Sequence, residues 1–200
     1  NNGDVLGYIP TEDTVLKNEF KNNISLNNIN TFFLNTYGSL YSVNNDLMRV
    51  NWFLNFNRSV DVNPIDLFDS NEIIYENDFL VLSSKKNTYV INNNNGNLLY
   101  KKTFGSEIKP IISNGYLFSI NKSDLLIALN LKNGRIIYSY DINEKIANFL
   151  DSKKKKVQFQ NLMLVNNKIY IFLKNSYVLK FTIEGNLKEI IKLKSKLGSN

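Results

Sequence analysis

The side chains available for chemistry in this sequence are carboxylates, lysines, hydroxyls and tyrosines, because its 200 residues contain no Cys and no His. Without those two residue types the chain cannot form a His-bearing catalytic triad, a thiolate nucleophile, a disulfide or the usual zinc and haem ligand sets. These absences argue against an enzyme. We therefore expect no catalytic, cofactor-binding or metal-ligating residues, and no bound cofactor.

The densest group of carboxylates consists of Asp66, Asp69 and Glu72, with Asp61 a few residues earlier. Carboxylate oxygens can ligate a metal ion, and a suitably spaced carboxylate pair can hydrolyse glycosidic bonds. Leu67 and Phe68 lie between Asp66 and Asp69, which favours a structural segment over a ligand loop. The four asparagines at 92–95 have no acidic neighbour, so we interpret them as a hairpin turn.

The net charge is +6, with 24 basic residues against 18 acidic ones. Its strongest local feature is the run of four lysines at 153–156, which we interpret as a solvated loop, with contact to an anionic surface as the alternative. Arg49 and Arg58 are interpreted as surface residues that could also meet a partner. We predict no nucleic-acid binding. Lysines on exposed strand edges oppose edge-to-edge pairing, and this interpretation covers Lys101, Lys102, Lys192, Lys194 and Lys196.

Composition and hydropathy favour strands over helices. The chain has 35 Asn but only 2 Ala, and Asn is a poor helix former whereas Ala is the best. We expect no long helix, although one short turn of helix at 143–149 is compatible with the pattern. No stretch reaches the roughly 18 apolar residues that a membrane-spanning helix needs.

The chain repeats one plan four times, in residues 29–52, 78–100, 115–138 and 168–190. Each copy contains an apolar strand, a short polar turn, a second strand, a second turn and a third strand. Phe and Tyr alternate with other residues along these strands, which is typical of residues that fill a core. This set comprises Phe79, Tyr116, Phe118, Tyr170 and Phe172.

The second strand of each copy carries an anchor residue from which a glycine and an aromatic residue can be counted. Six and ten residues after Val90 lie a Gly and an aromatic residue, and the same holds after Ala128. The residues at these offsets are Gly96, Tyr100, Gly134 and Tyr138.

The first and fourth copies depart from this spacing. Ten residues after Ser42 lies Trp52, the only Trp, but the six-residue offset gives Met48 instead of Gly. In the fourth copy Gly185 follows Lys180 by five residues and no aromatic follows. The anchors are 48, 38 and 52 residues apart, and four-stranded propeller blades need about 40 to 50 residues each.

Residues 127–138, IALNLKNGRIIY, closely resemble the signature of pyrroloquinoline-quinone-type (PQQ-like) propeller repeats. In that family a Trp of one blade docks on the neighbouring blade near a small residue. The resemblance implies that Trp52, Tyr100 and Tyr138 occupy equivalent positions and each contact the next blade. Asn44, Asn92 and Asn130 stand where the family has Asp, and we expect these departures, like Val90 and Lys180 at the small-residue position, to weaken the docking motif.

The predicted fold is therefore all-β: a β-propeller of PQQ-like repeats with about four blades, a partial ring or fragment of a seven- or eight-bladed propeller. We expect residues 1–200 to form a single, incomplete propeller domain, with repeats near 29–56, 73–104, 108–142 and 158–192. An open arc exposes the flanks of its first and last blades, so self-association through blade edges is a further expectation.

The function implied is that of a non-enzymatic scaffold. Among propellers the chain most resembles the BamB family of lipoproteins, which implies a component of outer-membrane β-barrel assembly that binds the barrel-assembly core protein. The same resemblance implies a bacterial, periplasmic or outer-membrane-associated protein, peripheral to the membrane through a lipid anchor. The alternatives are a fragment of a PQQ-dependent quinoprotein oxidoreductase, whose calcium, Asp and Cys-pair site has no counterpart here, and a luminal sensor or generic interaction propeller.

Overall fold

The structure, a computed structural model, describes residues 3–5, 7–11, 23–56 and 68–194. These residues form four antiparallel sheets of four strands each, which follow one another along the chain as blades 1 to 4. The predicted four-bladed, all-β propeller arc is confirmed. No sheet closes on itself in the described residues, as expected for part of a propeller.

Each blade is an up-and-down meander in which sequence neighbours pair. The strands are β1 (Asn23–Leu26), β2 (Asn30–Leu34), β3 (Ser39–Asn44) and β4 (Arg49–Asn55) in blade 1, β5 (Ile74–Glu76), β6 (Phe79–Ser83), β7 (Thr88–Asn92) and β8 (Leu98–Lys102) in blade 2, β9 (Ile111–Ser113), β10 (Tyr116–Ile120), β11 (Leu125–Asn130) and β12 (Ile136–Asp141) in blade 3, and β13 (Phe159–Val165), β14 (Lys168–Leu173), β15 (Tyr177–Thr182) and β16 (Leu187–Lys192) in blade 4.

The first strands of blades 2, 3 and 4 lie side by side on the inner side of the arc, where β9 contacts both β5 and β13. One helix, α1 (Ile142–Phe149), forms in the connection between blades 3 and 4. Asp141 caps it by accepting a hydrogen bond from the Glu144 amide. The short helix that the sequence pattern allows at 143–149 is therefore present.

The core is divided among the three interfaces between blades. Blades 1 and 2 enclose a cluster that includes Phe32 and Leu80, and blades 2 and 3 enclose a smaller one around Val90 and Leu129. The largest cluster lies between blades 3 and 4 and includes Phe181. Blades 2 and 3 thus bury both faces against the sheets beside them, whereas blades 1 and 4 bury one face each.

Trp52 of blade 1 joins that blade to blade 2. Its indole Nε1 donates a hydrogen bond to the Asn93 carbonyl at 3.0 Å, and its ring lies against Gly96 in the β7–β8 turn. A Cβ added at Gly96 would lie 2.6 Å from the ring. Gly96 also has φ of +74°, so both the backbone conformation and the close approach of the indole favour Gly at this position.

Tyrosines make the same contact at the next two interfaces. Tyr100 donates from its hydroxyl to the Leu131 carbonyl at 2.7 Å, and Tyr138 donates to the Ile183 carbonyl at 2.9 Å. Their rings lie over Gly134 and Gly185 of the following blades. The prediction that Trp52, Tyr100 and Tyr138 occupy equivalent positions and contact the next blade is confirmed.

The anchor residue of each copy pairs across the ladder with the position of the docking aromatic. Ser42 lies opposite Trp52, Val90 opposite Tyr100, and Ala128 opposite Tyr138, and a register shift follows each anchor. Val90 is fully buried despite being larger than the usual residue. Pairing and docking therefore tolerate Val at this position.

The asparagines that replace Asp in the motif keep the turns closed. The side-chain oxygen of Asn92 accepts hydrogen bonds from the amides of Asn94 and Asn95, and Asn44 and Asn130 bond the corresponding amides of their turns. Amide and carboxylate oxygens both accept such bonds. That these asparagines weaken docking relative to Asp stays a prediction.

Blade 4 differs at the equivalent ladder position. Lys180 lies opposite Glu189, and the two form an ion pair with a 2.9 Å Nζ–Oε2 distance. An ion pair thus occupies the place of the small residue and the aromatic. At the other end of the arc, Met48 of blade 1 occupies the turn position that Gly96 holds in blade 2 and has φ of +49°.

We predict that Gly96→Ala destabilises the protein more than Gly115→Ala. Both residues have positive φ, which costs Ala about 1–2 kcal/mol. Only Gly96 faces a ring, because nothing lies within 4 Å of a Cβ built at Gly115. Displacing the indole adds about 1–3 kcal/mol. Urea unfolding of both variants measures the difference, and equal losses would contradict tight docking at Gly96.

Removing the docking ring should also be costly. Trp52→Ala is expected to lower the free energy of unfolding by about 3 kcal/mol, the lower end for a large aromatic deleted from a core, because the side chain remains partly exposed. Chemical denaturation provides the measurement. Leu47→Ala, at an exposed turn residue, is the control and should change stability by less than about 0.5 kcal/mol.

Candidate protein-binding site

The outermost strand of each blade has one edge without a strand partner among the described residues. Lys and Glu side chains interrupt two of these strands, β8 and β16, and Arg49 begins β4. In β12 the only charged residue is Asp141, at the end of the strand. Asp141 caps α1 and forms an ion pair with Lys154. The body of β12 therefore lacks the charges that protect an edge from pairing.

Apolar side chains are exposed along the start of β12. Ile136 is 45% exposed and Ile137 is 53% exposed, and Ser139 is exposed as well. An extended edge with these features can accept an additional strand, whose backbone would pair with β12. This edge is the first part of the candidate site, which we call the β12 edge.

A crevice of about 460 Å³ lies beside the β12 edge, between blades 3 and 4. Its walls are mostly apolar and aromatic, with one carboxylate. The lining residues are Tyr116, Phe118, Ala128, Ile137, Tyr138, Tyr140, Ile183 and Glu184. The crevice is large enough for an apolar side chain of a bound segment, and pockets of this kind commonly combine apolar walls with a few polar groups.

Two stacked tyrosines form one wall of the crevice. The rings of Tyr138 and Tyr140 are 4.9 Å apart at an interplanar angle of 14°. Gly185 lies beneath both rings, and the ammonium of Lys145 lies 4.2 Å from the centre of the Tyr140 ring. This cation–π contact and the blade 4 turn hold the wall in place before any ligand binds.

The hydroxyl of Tyr138 is fixed in its neutral form. Burial is the largest effect that raises its pKa, followed by the neighbouring Tyr140 and Glu184. Glu184 has a lowered pKa because the Thr182 hydroxyl donates a hydrogen bond to it. The site therefore holds a neutral phenol, whose proton is donated to the Ile183 carbonyl, and an ionised carboxylate.

Of the acidic residues singled out in the sequence, the two that the structure describes, Asp69 and Glu72, do not line the crevice. Asp69 forms an ion pair with Lys85 at 2.5 Å, which raises the pKa of Lys85, and Glu72 pairs with Lys109. Asp61 and Asp66 lie outside the described residues. In the described parts of the chain, no three Asp or Glu side chains are grouped as a metal site would require.

The remaining sequence candidates lie on turns and surfaces. The asparagines at 92–95 form the β7–β8 turn, as predicted, and Arg49 is exposed at the start of β4. The lysines at 153–156 are exposed between α1 and β13. Lys101 and Lys102 lie on β8, with ammonium groups 5.5 and 5.4 Å from the ring centres of Tyr89 and Tyr100. Lys192 is on β16, whereas Arg58 and Lys196 lie outside the described residues.

Sequence reasoning identified Tyr138 as a docking residue but missed the crevice. Its residues come from strands of blade 3 and from the β15–β16 turn, so Tyr116 and Glu184 meet only when the blades pack. The available signal was weaker: the segment IIYSY at 136–140 is an uncharged run of an outermost strand, but β4 contains a longer one, VNWFLN at 50–55.

No protein-family model matches the chain, and no characterised protein matches it in sequence. Solved structures do resemble its fold. The crystal structure of BamB from Moraxella catarrhalis has a TM-score of 0.66 and 12% identity, covering 88% of this chain and 50% of that chain. A computationally designed protein, Ika8, has a TM-score of 0.63 and 10% identity, covering 86% and 49%.

These comparisons establish a BamB-like propeller fold. The chain spans about half the length of both solved structures. Because 753 solved chains match the structure and a propeller fold does not determine function, the likeness selects no activity. Membership of the PQQ-like repeat family stays a prediction.

The docking tyrosines should make stability depend on alkaline pH. Burial raises the pKa of Tyr100 to about 12, above its ordinary value of 10.0. The folded state therefore keeps this proton to higher pH than the unfolded chain does, so its stabilising effect is complete below pH 10 and is lost as pH rises towards about 12. Tyr100→Phe should lower stability by about 1 kcal/mol at neutral pH and reduce the alkaline loss.

Urea unfolding at about pH 8, 10 and 11 measures this dependence. Tyr8→Phe is the control, because Tyr8 is 88% exposed. An unchanged alkaline loss in Tyr100→Phe would contradict the assignment.

Proposed function

We propose that this chain is a non-enzymatic propeller scaffold that binds other proteins, with an extended segment of the partner along the β12 edge and an apolar side chain of that segment in the adjoining crevice. The observation that carries this proposal is the uncharged, exposed edge of β12 beside an apolar cavity of about 460 Å³.

The geometry supports strand addition better than catalysis. Backbone pairing along an edge supplies affinity, and a pocket for an alternate side chain supplies specificity. The Tyr138 and Tyr140 rings are held by Gly185, by each other and by Lys145. A preformed wall lowers the ordering cost of binding.

We further propose that the partner is the barrel-forming core protein of outer-membrane assembly, and that the protein acts in the periplasm or at the outer membrane. Support comes from the repeat signature at 127–138 and from the likeness of the fold to BamB. In this proposal residues 1–200 belong to one propeller domain that is part of a longer ring.

The β12 edge can be tested with lysine substitutions. Ile137→Lys and Ser139→Lys place a charge on an exposed position of the edge, where Lys opposes pairing. We expect each to weaken binding to the detergent-solubilised barrel-assembly core protein by about tenfold or more, a loss typical of an important interface residue. Leu99→Lys is the matched control, because Leu99 is 45% exposed on the outermost strand of blade 2.

Surface plasmon resonance on the immobilised chain measures affinity, and thermal unfolding shows that each variant is folded. Absence of binding by the unmodified chain would refute the proposed partner. Equal losses of affinity in all three variants would refute the β12 edge as the binding site. A dimer that Ile137→Lys dissociates, measured by light scattering, would replace the partner by a second copy of this chain.

A further inference from the structure

The connection between blades 3 and 4 ends in an exposed apolar tip. Phe149, the last residue of α1, is 48% exposed, and Leu150, which follows it, is 55% exposed. The buried face of α1 consists of Ile142, Asn143 and Ala147. Phe149 and Leu150 thus belong to neither the helix contact with the blades nor the β12 edge.

The backbone fixes this tip in position. The Leu150 amide donates to the Ile146 carbonyl, and the Ser152 amide donates to the Ala147 carbonyl at 2.9 Å. Asp151 between them has φ of +48°. The bond from Ser152 to Ala147, with Asp151 in the left-handed region between them, is typical of the Schellman type of helix ending. The apolar tip is therefore displayed by a closed helix end.

Four lysines come directly after the tip, at 153–156, and all are exposed. Lys154 forms an ion pair with Asp141. Lys153, Lys155 and Lys156 form no ion pair with any residue that the structure describes. Three cationic groups therefore remain available next to two exposed apolar side chains.

A polar crevice of about 350 Å³ extends the basic surface towards the blades. Lys156 lines it together with Lys122 of the β10–β11 turn and Lys174 of the β14–β15 turn. Two acids, Glu107 and Asp124, lie in the same crevice. The Asp124 carboxylate already accepts a hydrogen bond from Asn143 at 2.8 Å. Lysines from three separate segments thus converge at the end of the lysine run.

We propose that the segment from Phe149 to Lys156 binds an anionic phospholipid membrane surface, with Phe149 and Leu150 entering the interfacial region and Lys153, Lys155 and Lys156 contacting lipid phosphates. Membrane interfaces accept this combination, because apolar side chains bury at the boundary of the acyl chains while basic side chains are attracted to anionic headgroups. An acidic protein surface would attract the lysines but has no general need for the exposed Phe and Leu.

This inference goes beyond the proposed scaffold function and does not depend on it. Within the described residues, no helix is long and apolar enough to span a membrane. The contact would be peripheral. It would place one face of the arc against the lipid and leave the β12 edge to a protein partner.

Vesicle flotation of the full chain tests the proposal. We expect binding to vesicles of phosphatidylcholine with about one third phosphatidylglycerol, weak binding to pure phosphatidylcholine, and a decrease at high salt because surface charges are screened. The triple variant Lys153→Gln, Lys155→Gln, Lys156→Gln should bind about a hundredfold more weakly, since each basic residue contributes about fivefold. Its control is Lys132→Gln, Arg135→Gln, Lys168→Gln, which removes three exposed charges from the opposite face of the arc.

The apolar tip is tested separately. Phe149→Gln with Leu150→Gln should weaken vesicle binding on the order of tenfold, whereas Leu98→Gln with Leu99→Gln, at 46% and 45% exposure, should not. In addition, brominated lipids should quench the tryptophan fluorescence of the Phe149→Trp variant. The unmodified chain is the control for quenching, because its only Trp, Trp52, docks on blade 2.

Two results would overturn the inference. The first is equal binding to neutral and anionic vesicles. The second is vesicle binding that the glutamine pair at 149 and 150 leaves unchanged, together with equally strong binding to soluble polyglutamate, which would assign the basic surface to an acidic protein partner.

Discussion

The arrangement of the four blades depends on one contact: an aromatic ring of one blade lying over a turn of the next blade that has no Cβ. Trp52 on Gly96 is the clearest case, because the indole occupies the space of the missing side chain and donates to the carbonyl of Asn93. The contact combines packing with a directed hydrogen bond. It determines how far apart consecutive sheets lie, and therefore which grooves remain between them.

Both proposed surfaces arise from this spacing at the third interface. Tyr138 reaches Ile183 and Gly185, and the space left beside that contact is the crevice next to the β12 edge. The long connection that carries α1 crosses the same interface and ends in the lysine run. One interface thus displays an apolar edge and a basic, apolar tip on a rigid framework, and rigid frameworks commonly carry binding residues on their edges and loops.

The fold was accessible from the sequence because the docking contact has a linear signature. The spacing of Val90, Gly96 and Tyr100 reflects the pairing of Val90 with Tyr100 on adjacent strands and the hairpin turn that joins the two strands. All of this information is local in the sequence. The first strands of the blades were harder to recognise: β5 and β9 have three residues each, too few to show alternation. The crevice was inaccessible for a different reason, because Tyr116 and Glu184 are brought together only by packing between blades. The exposure of the neighbouring residues Phe149 and Leu150 was inaccessible for a similar reason, because it depends on which face of α1 is buried.

The unequal sizes of the three cores have a mechanical consequence. Twelve buried apolar residues lie between blades 3 and 4 and eight between blades 1 and 2, but only five between blades 2 and 3 in the described chain. In an array whose units contact only their neighbours, cooperativity is transmitted through each interface in turn. The small apolar core predicts that the seam between blades 2 and 3 opens before the other two, although Tyr100 bonds the Leu131 carbonyl and the Glu76 carboxylate accepts from the Asn114 and Gly115 amides across it. Amide exchange is then expected to stay slow within each pair of blades after this seam has opened.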